Sequence, residues 1–301
     1  MQKEQQLQFI SVDRLPKRQS EENMLLPRTA VNVPMRAGRS RRKQKGAQCG
    51  ILFLCALLLL LIVLGLSQLA PAVWRLFGRA ERAAEISRQQ ELMEAGGDAY
   101  PQELMKMLET NEETLSFVEG YGERSKWIGG AIDLSGEIQE GQVPLLLQWD
   151  RRWGYDAFGS GMIGWAGCGP VCMTMAYLYL TDDMSMDPRK MAEFADQNGY
   201  HSDSGTSWDF WTSGAGQLGL RGEELSLSEH TIRAALDAGG VVVCSMSPGD
   251  FTTTGHYILI RGYDEKGFYV NDPNRRSNSE KQWTYDTLEG QIKNLWGIYR
   301  G

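Results

Sequence analysis

The chain has 301 residues, 42% of them hydrophobic and 23% charged, with a formal net charge of -7. This composition excludes collagen-like, disulfide-dense and wholly disordered classes, and the length is ample for a buried core. The charge is unevenly placed. Residues 1–48 hold 11 Lys/Arg against 4 Asp/Glu, and no charge occurs from Gly46 to Trp74. Residues 75–301 therefore carry the remaining 20 basic and 34 acidic side chains.

The first region, residues 1–48, lacks an apolar period and is rich in Gln, Ser, Pro and Arg. It reads as a disordered basic tail. The neutral block at 49–73 is expected to form a transmembrane helix in the lipid bilayer. Its core, Cys49 to Leu66, spans about 27 Å at ~1.5 Å per residue, and its flanks extend it to bilayer thickness. Arg36, Arg39, Arg41, Arg42, Lys43 and Lys45 crowd one side, so the positive-inside rule places the N-terminus in the cytoplasm and the acidic body outside the cell. A cleaved signal peptide is disfavoured: Leu69-Ala70-Pro71-Ala72 is a poor cleavage site and the basic leader is too long. Beside a spanning helix the basic cluster is a topology signal that also touches anionic lipid; no nucleic-acid partner is expected.

Residues 74–142 read as a helical juxtamembrane stalk or leader. Residues 78–96 are rich in helix formers and end at Gly96-Gly97. Tyr100-Pro101 opens a helix whose apolar face is Leu104, Met107 and Leu108, and Asn111 caps a shorter one. Gly-rich turns follow through Gly141.

The globular body at 143–301 starts with a predicted strand over 143–147. Helices are expected at 168–180, 187–198 and 228–238, then strands at 240–246, 256–263, 266–272 and 295–299, with a hairpin turn at Asp264–Gly267. Helices first and antiparallel strands later give an α+β fold.

The chemistry centres on one cysteine and one histidine. Cys168 sits at the first turn of an apolar helix, between glycines, where the helix dipole lowers a thiol pKa and backbone N–H groups can meet an oxyanion. The bland alternative is a buried, inert cysteine. Cys172, one turn deeper, and Cys244, in a strand, read as core. A Cys168–Cys172 disulfide is rejected because helical neighbours four apart hold their Cβ atoms about 5–6 Å apart, too far for the bond. No ligand array for metal and no cofactor motif is present. Of three histidines, His201 is expected to be solvated in a polar loop and His230 exposed at a helix start. His256 opens an apolar strand, a polar group at the rim of the core. Asp272, across the hairpin, is the best carboxylate to orient it. Asp264 competes but is explained by the turn, and Asn271 and Asn274 are weaker options.

Val143-Pro-Leu-Leu-Leu-Gln-Trp-Asp-Arg-Arg-Trp-Gly-Tyr, Gly167-Cys-Gly-Pro, Gly255-His-Tyr-Ile-Leu-Ile-Arg-Gly-Tyr-Asp and Tyr269-Val-Asn-Asp-Pro together resemble the C39-like peptidase family, over about residues 143–300. The resemblance implies a papain-like cysteine peptidase domain with Cys168 as nucleophile, His256 as general base, Asp272 as its orienter and Gln148 as oxyanion donor. Gln148 lies 20 positions before Cys168, whereas the corresponding glutamine in papain-like enzymes lies only a few before it. The stretch 100–125 is similar to the leader preceding this domain in many Gram-positive bacterial members. The expected function is a membrane-anchored, extracytoplasmic cysteine peptidase acting on a peptide or protein, cell-wall peptide included. A cell-wall peptide amidase or acyl transferase on the same fold is the alternative, and so is a silent binding module. Trp149, Trp153, Trp165 and the segment 205–211 supply aromatic density that either packs the loops or lines a peptide groove.

Overall fold

The computed structural model describes residues 42–202 and 205–301; of the tail expected over 1–48, residues 1–41 lie outside them and 42–48 are helical rather than disordered. The chain divides between Ala70 and Pro71 into two units. Helix α1 runs from Arg42 to Gly96 and stops at the glycine pair as the sequence predicts. The expected helix at 78–96 is thus the end of a longer one. Most side chains of the 49–73 block lie outside the described residues, and among the described residues no helix is long and apolar enough to cross a membrane.

The second unit opens with α2 (Gln102–Thr110) and α3 (Leu115–Gly120). Asn111 caps the turn between them by accepting a hydrogen bond from the Glu113 N–H at 3.1 Å. Next come α4 (Cys168–Thr181) and α5 (Pro188–Gln197), then strand β1 (Leu220–Glu224) and α6 (Glu229–Asp237). Strands β2 (Val241–Met246), β3 (His256–Asp264) and β4 (Gly267–Asn271) lead to a short helix, α7 (Arg276–Ser279). The chain ends with β5 (Gln282–Trp283) and β6 (Ile292–Arg300). The six strands form one antiparallel sheet in the order β1-β6-β2-β3-β4-β5. The α+β arrangement expected from the sequence is present.

The alternation of the strands sorts the core into two layers. Val241, Val243, Tyr257, Leu259, Trp296 and Ile298 face α4 and α5. Val242, Cys244, Ile258, Ile260 and Leu295 face α6 with Ile232 and Ala235. Helix α4 is apolar around nearly its whole circumference because it is wrapped by sheet, α5 and loops.

Residues 143–147 do not form the predicted strand. Pro144 has no N–H to give a ladder, and the neighbouring groups are satisfied by side chains instead. The Pro144 carbonyl accepts from Asn271 Nδ2 at 2.9 Å, and the Leu146 N–H meets Met175 Sδ at 3.3 Å. Strands β1 and β5 carry no apolar run in the sequence, and neither was expected.

A third cluster joins the N-terminal helices to the loops before α4. Leu104, Leu108, Leu115, Phe117 and Val118 share a core with Tyr155 and Met162. Phe117 stacks on Tyr155 with ring centroids 4.3 Å apart, and the Tyr155 hydroxyl donates to the Phe117 carbonyl at 2.6 Å. Gly154 and Gly164 let this ring in, since a Cβ at either would meet it at 2.7 and 2.5 Å. Residues 100–121 are therefore built into the folded body. Phe117→Ala is expected to lower stability by about 3–5 kcal/mol, read as a drop in urea midpoint of the whole cooperative transition. An unchanged midpoint would show that this segment is not part of the folding unit.

Candidate active site

Cys168 begins α4, with Gly167 at its N-cap. The glycines on both sides are demanded by packing. A Cβ on Gly169 would lie 2.2 Å from Thr206 Oγ1, and one on Gly167 would lie 2.5 Å from the Ile163 side chain. The thiol is thus set at the positive end of a buried helix, with no side chain on either chain neighbour. It is half-buried and free.

His256 is the first residue of β3, paired with Met246 of β2. It is buried, as is Asp272, which follows β4 and has no exposed surface. His256 Nε2 lies 2.7 Å from Asp272 Oδ1. That bond occupies Nε2, which leaves Nδ1 as the ring nitrogen that can serve the Cys168 thiol, to which His256 is electrostatically coupled. Asp272 Oδ1 also accepts from the N–H groups of Asn274 (2.8 Å) and Arg275 (3.2 Å), and Asn278 Nδ2 donates to Oδ2 at 2.8 Å. The carboxylate therefore has a donor on each oxygen, which a buried charge requires.

Burial alone would lower the pKa of His256, but the Asp272 charge and hydrogen bond and the neighbouring thiolate outweigh it and raise it to about 10. Burial alone would raise Cys168; the His256 hydrogen bond and charge, with backbone groups of Tyr257 and Gly169, hold it below the ordinary thiol range. Asp272 is likewise lowered, its desolvation overcome by His256. Cys172 and Cys244 behave oppositely. Both are pushed up by burial, with no cation beside them. The three arrangements together favour a thiolate–imidazolium pair at Cys168 and His256 and inert thiols elsewhere in the described body.

Gln148 reaches the same cleft as Cys168, Trp165 and His256. The 20-position separation is closed by an excursion that folds back on itself. Residues 157–158 and 161–162 pair as a tiny hairpin, the turn Ile163–Ala166 follows, and the Gly164 N–H returns to the Gly154 carbonyl at 2.8 Å. Gln148 Nε2 donates to the Gly164 carbonyl at 3.0 Å, and its backbone N–H donates to the Pro273 carbonyl at 2.7 Å. An amide nitrogen carries two hydrogens, so Gln148 Nε2 keeps a second N–H beyond that bond, while its Oε1 is buried without a partner.

The other candidates are placed elsewhere. Asp264 is held in its turn by Tyr269 Oη, Gln282 Nε2 and the Lys266 N–H. Asn271 accepts from Arg261 Nε at 2.9 Å and braces residue 144. Asn274 supports Asp272 through its backbone only. His201 is only partly exposed: its ring lies 4.5 Å from that of Phe158, in a space that Gly159 leaves open. His230 is exposed, as expected. The aromatic density is mostly packing, since Trp153 and Trp211 are fully buried and Trp149 Nε1 donates to the Asn274 carbonyl. Trp165 alone of that set lines the cleft. Among the described residues no His/Cys/Asp/Glu group is placed to hold a metal ion.

The model of the Peptidase_C39 like family matches residues 140–301, more than half of the chain. The chain belongs to the peptidase C39-like family. Two solved structures are similar. One is the peptidase domain of Streptococcus ComA, a bi-functional ABC transporter involved in a quorum sensing pathway. It is 14% identical with a TM-score of 0.36, over 45% of this chain and 93% of that one. The other is a C39-like peptidase from Bacillus anthracis, 15% identical with a TM-score of 0.34, over 54% of this chain and 96% of that one. No curated protein matches the sequence.

Asn278 was not legible in the sequence, because no spacing rule links it to Asp272 six positions earlier. Nor was the far wall of the cleft, formed by Lys106, Met107 and Thr110 of α2 and by Phe251 to Thr254. The electrostatics set a pH window. Alkylation of Cys168 by iodoacetamide is expected to stay fast below the range of an ordinary thiol, ~8.5. In His256→Ala it should slow sharply at neutral pH, because the cation is gone. Identical rates for the two proteins at pH 7 would show that His256 does not activate the thiol.

Proposed function

We propose that the protein is a membrane-anchored cysteine peptidase in which Cys168, His256, Asp272 and Gln148 form the catalytic group. The observation that carries this reading is the buried 2.7 Å contact between His256 and Asp272, directly behind a half-buried Cys168 that opens on a cleft. Family membership supports a cysteine peptidase-like activity and a peptide or protein substrate.

The chemistry follows from the placement. The Cys168 thiolate attacks an amide carbonyl, and the negative charge forming on oxygen is met by the second N–H of Gln148 and by the N-terminus of α4. The His256 imidazolium gives its proton to the departing amine, leaving a thioester at Cys168. Neutral His256 then draws a proton from water, whose attack releases the acid and restores the thiol pair. Asp272 keeps the imidazole in one tautomer and stabilises its charged form throughout.

The anchor is the 49–73 segment, with the basic tail in the cytoplasm and the acidic body outside the cell; the support is the charge asymmetry of the sequence. Cell-wall peptide is the substrate class nearest to hand for a domain tethered there.

Incubated with a fluorogenic peptide library, the full chain in detergent should hydrolyse a subset of members. Cys168→Ala should abolish turnover, and Gln148→Ala should lower kcat by about 10²–10³ with intact folding. Turnover that survives Cys168→Ala would refute the mechanism. A single mixed experiment on pH adds a check: activity should be lost as pH rises through about 10, where His256 ceases to be an acid. Activity still rising above that pH would contradict the assigned proton donor.

A further inference from the structure

The loop that follows Asp272 is gripped from two sides. From within, the Asp272 carboxylate accepts the N–H groups of residues 274 and 275, and Ser279 Oγ accepts the Asp272 N–H at 2.9 Å. From outside, four bonds join it to residues 110–113, at the end of α2 and just beyond it. Asn111 Nδ2 donates to the Asn274 carbonyl at 2.6 Å, and the Arg275 guanidinium donates to the Thr110 carbonyl. The two oxygens of Glu113 accept the N–H groups of Arg276 (2.7 Å) and Ser277 (3.0 Å), which are the first backbone donors of α7.

That last pair matters for the triad because α7 carries Asn278, the donor to Asp272 Oδ2. Asn278 has its own carbonyl held by Trp283 Nε1 at 2.9 Å. Glu113 fixes the start of α7, α7 fixes Asn278, and Asn278 fixes the second carboxylate oxygen. Asn111 is itself well placed to be rigid. It is buried, its Oδ1 accepts the Glu113 N–H, and its carbonyl accepts Thr114 Oγ1 at 2.7 Å.

We infer that Asn111 and Glu113 are positioning residues for the catalytic group, acting on Asp272 through the 274–278 loop. This rests on the peptidase reading above and extends it outside the region that the family model matches, which starts at residue 140. The N-terminal helices are then a working part of the enzyme rather than a stalk. A carboxylate that loses its fixed donors can rotate away from His256, and the imidazolium it stabilised becomes easier to deprotonate.

The test uses the full chain in detergent with ¹⁵N-labelled histidine. The sequence holds only three histidines, so the His256 imidazole can be followed by NMR through its titration. In the wild type it should titrate near 10. In Asn111→Ala, Glu113→Gln and the double variant it should move down toward the ordinary value of ~6.5, the double variant furthest. In the same variants kcat on a cleaved peptide should fall at least tenfold with KM little changed. Glu113→Gln keeps the size of the side chain and one acceptor, so it is chosen over Glu113→Ala to preserve the fold. Glu229→Gln, on α6, removes a comparable surface carboxylate and should leave His256 where it is. The inference is overturned if the variants fold, with wild-type melting and circular dichroism, and His256 still titrates near 10. If His256 titrates near 6.5 already in the wild type, the ion-pair reading of the site fails instead. If its titration responds as expected while no peptide is cleaved, the positioning role stands and the peptidase reading falls.

Discussion

Everything about the site turns on a carboxylate with no exposed surface. Asp272 is buried, and a lone buried charge costs several kcal/mol unless charge and hydrogen bonds compensate it. His256 at 2.7 Å supplies the charge, and three further donors supply the bonds. The same compensation raises the pKa of His256 in a place where burial alone would lower it, and the charge on His256 in turn lowers that of the Cys168 thiol. The requirement runs outward as well. A carboxylate needing donors on both oxygens dictates the turn at 274–275, the short helix α7 and the grip on that loop by Asn111 and Glu113.

Cys172 serves as an internal comparison. It lies one turn below Cys168 on the same helix, and its Sγ meets the Tyr257 carbonyl at 3.5 Å. It is fully buried with no cation beside it, so the same burial that His256 overcomes at Cys168 pushes Cys172 toward an inert thiol. What separates the two thiols is the set of neighbours at Cys168, His256 first and then the backbone groups of Tyr257 and Gly169, since burial acts on both.

The sequence carried the local facts well. The helix dipole and glycine setting of Cys168, the strand position of His256 and the hairpin that returns Asp272 are all patterns of period and turn, and the structure brings these three residues together. It failed where hydrogen bonds replace patterns. Residues 143–147 looked like a strand because they are apolar, yet Pro144 and Leu146 are satisfied by Asn271 and Met175 side chains. His201 looked solvated from its polar neighbours, yet its ring packs at a tilt against Phe158. Gln148 was too far from Cys168 by sequence because a folded excursion with its own hairpin has no periodic signature. The grip of residues 111–113 on residues 274–277 links positions more than 160 apart, which no local rule reaches.

The central claim is that Cys168 attacks a carbonyl whose oxygen then turns toward Gln148. A crystal structure of the full chain soaked with a peptide aldehyde tests it directly. A hemithioacetal is expected on Cys168 Sγ, with its oxygen about 3 Å from Gln148 Nε2 and His256 still bonded to Asp272. An aldehyde attached elsewhere, or an adduct oxygen pointing away from Gln148, would contradict it.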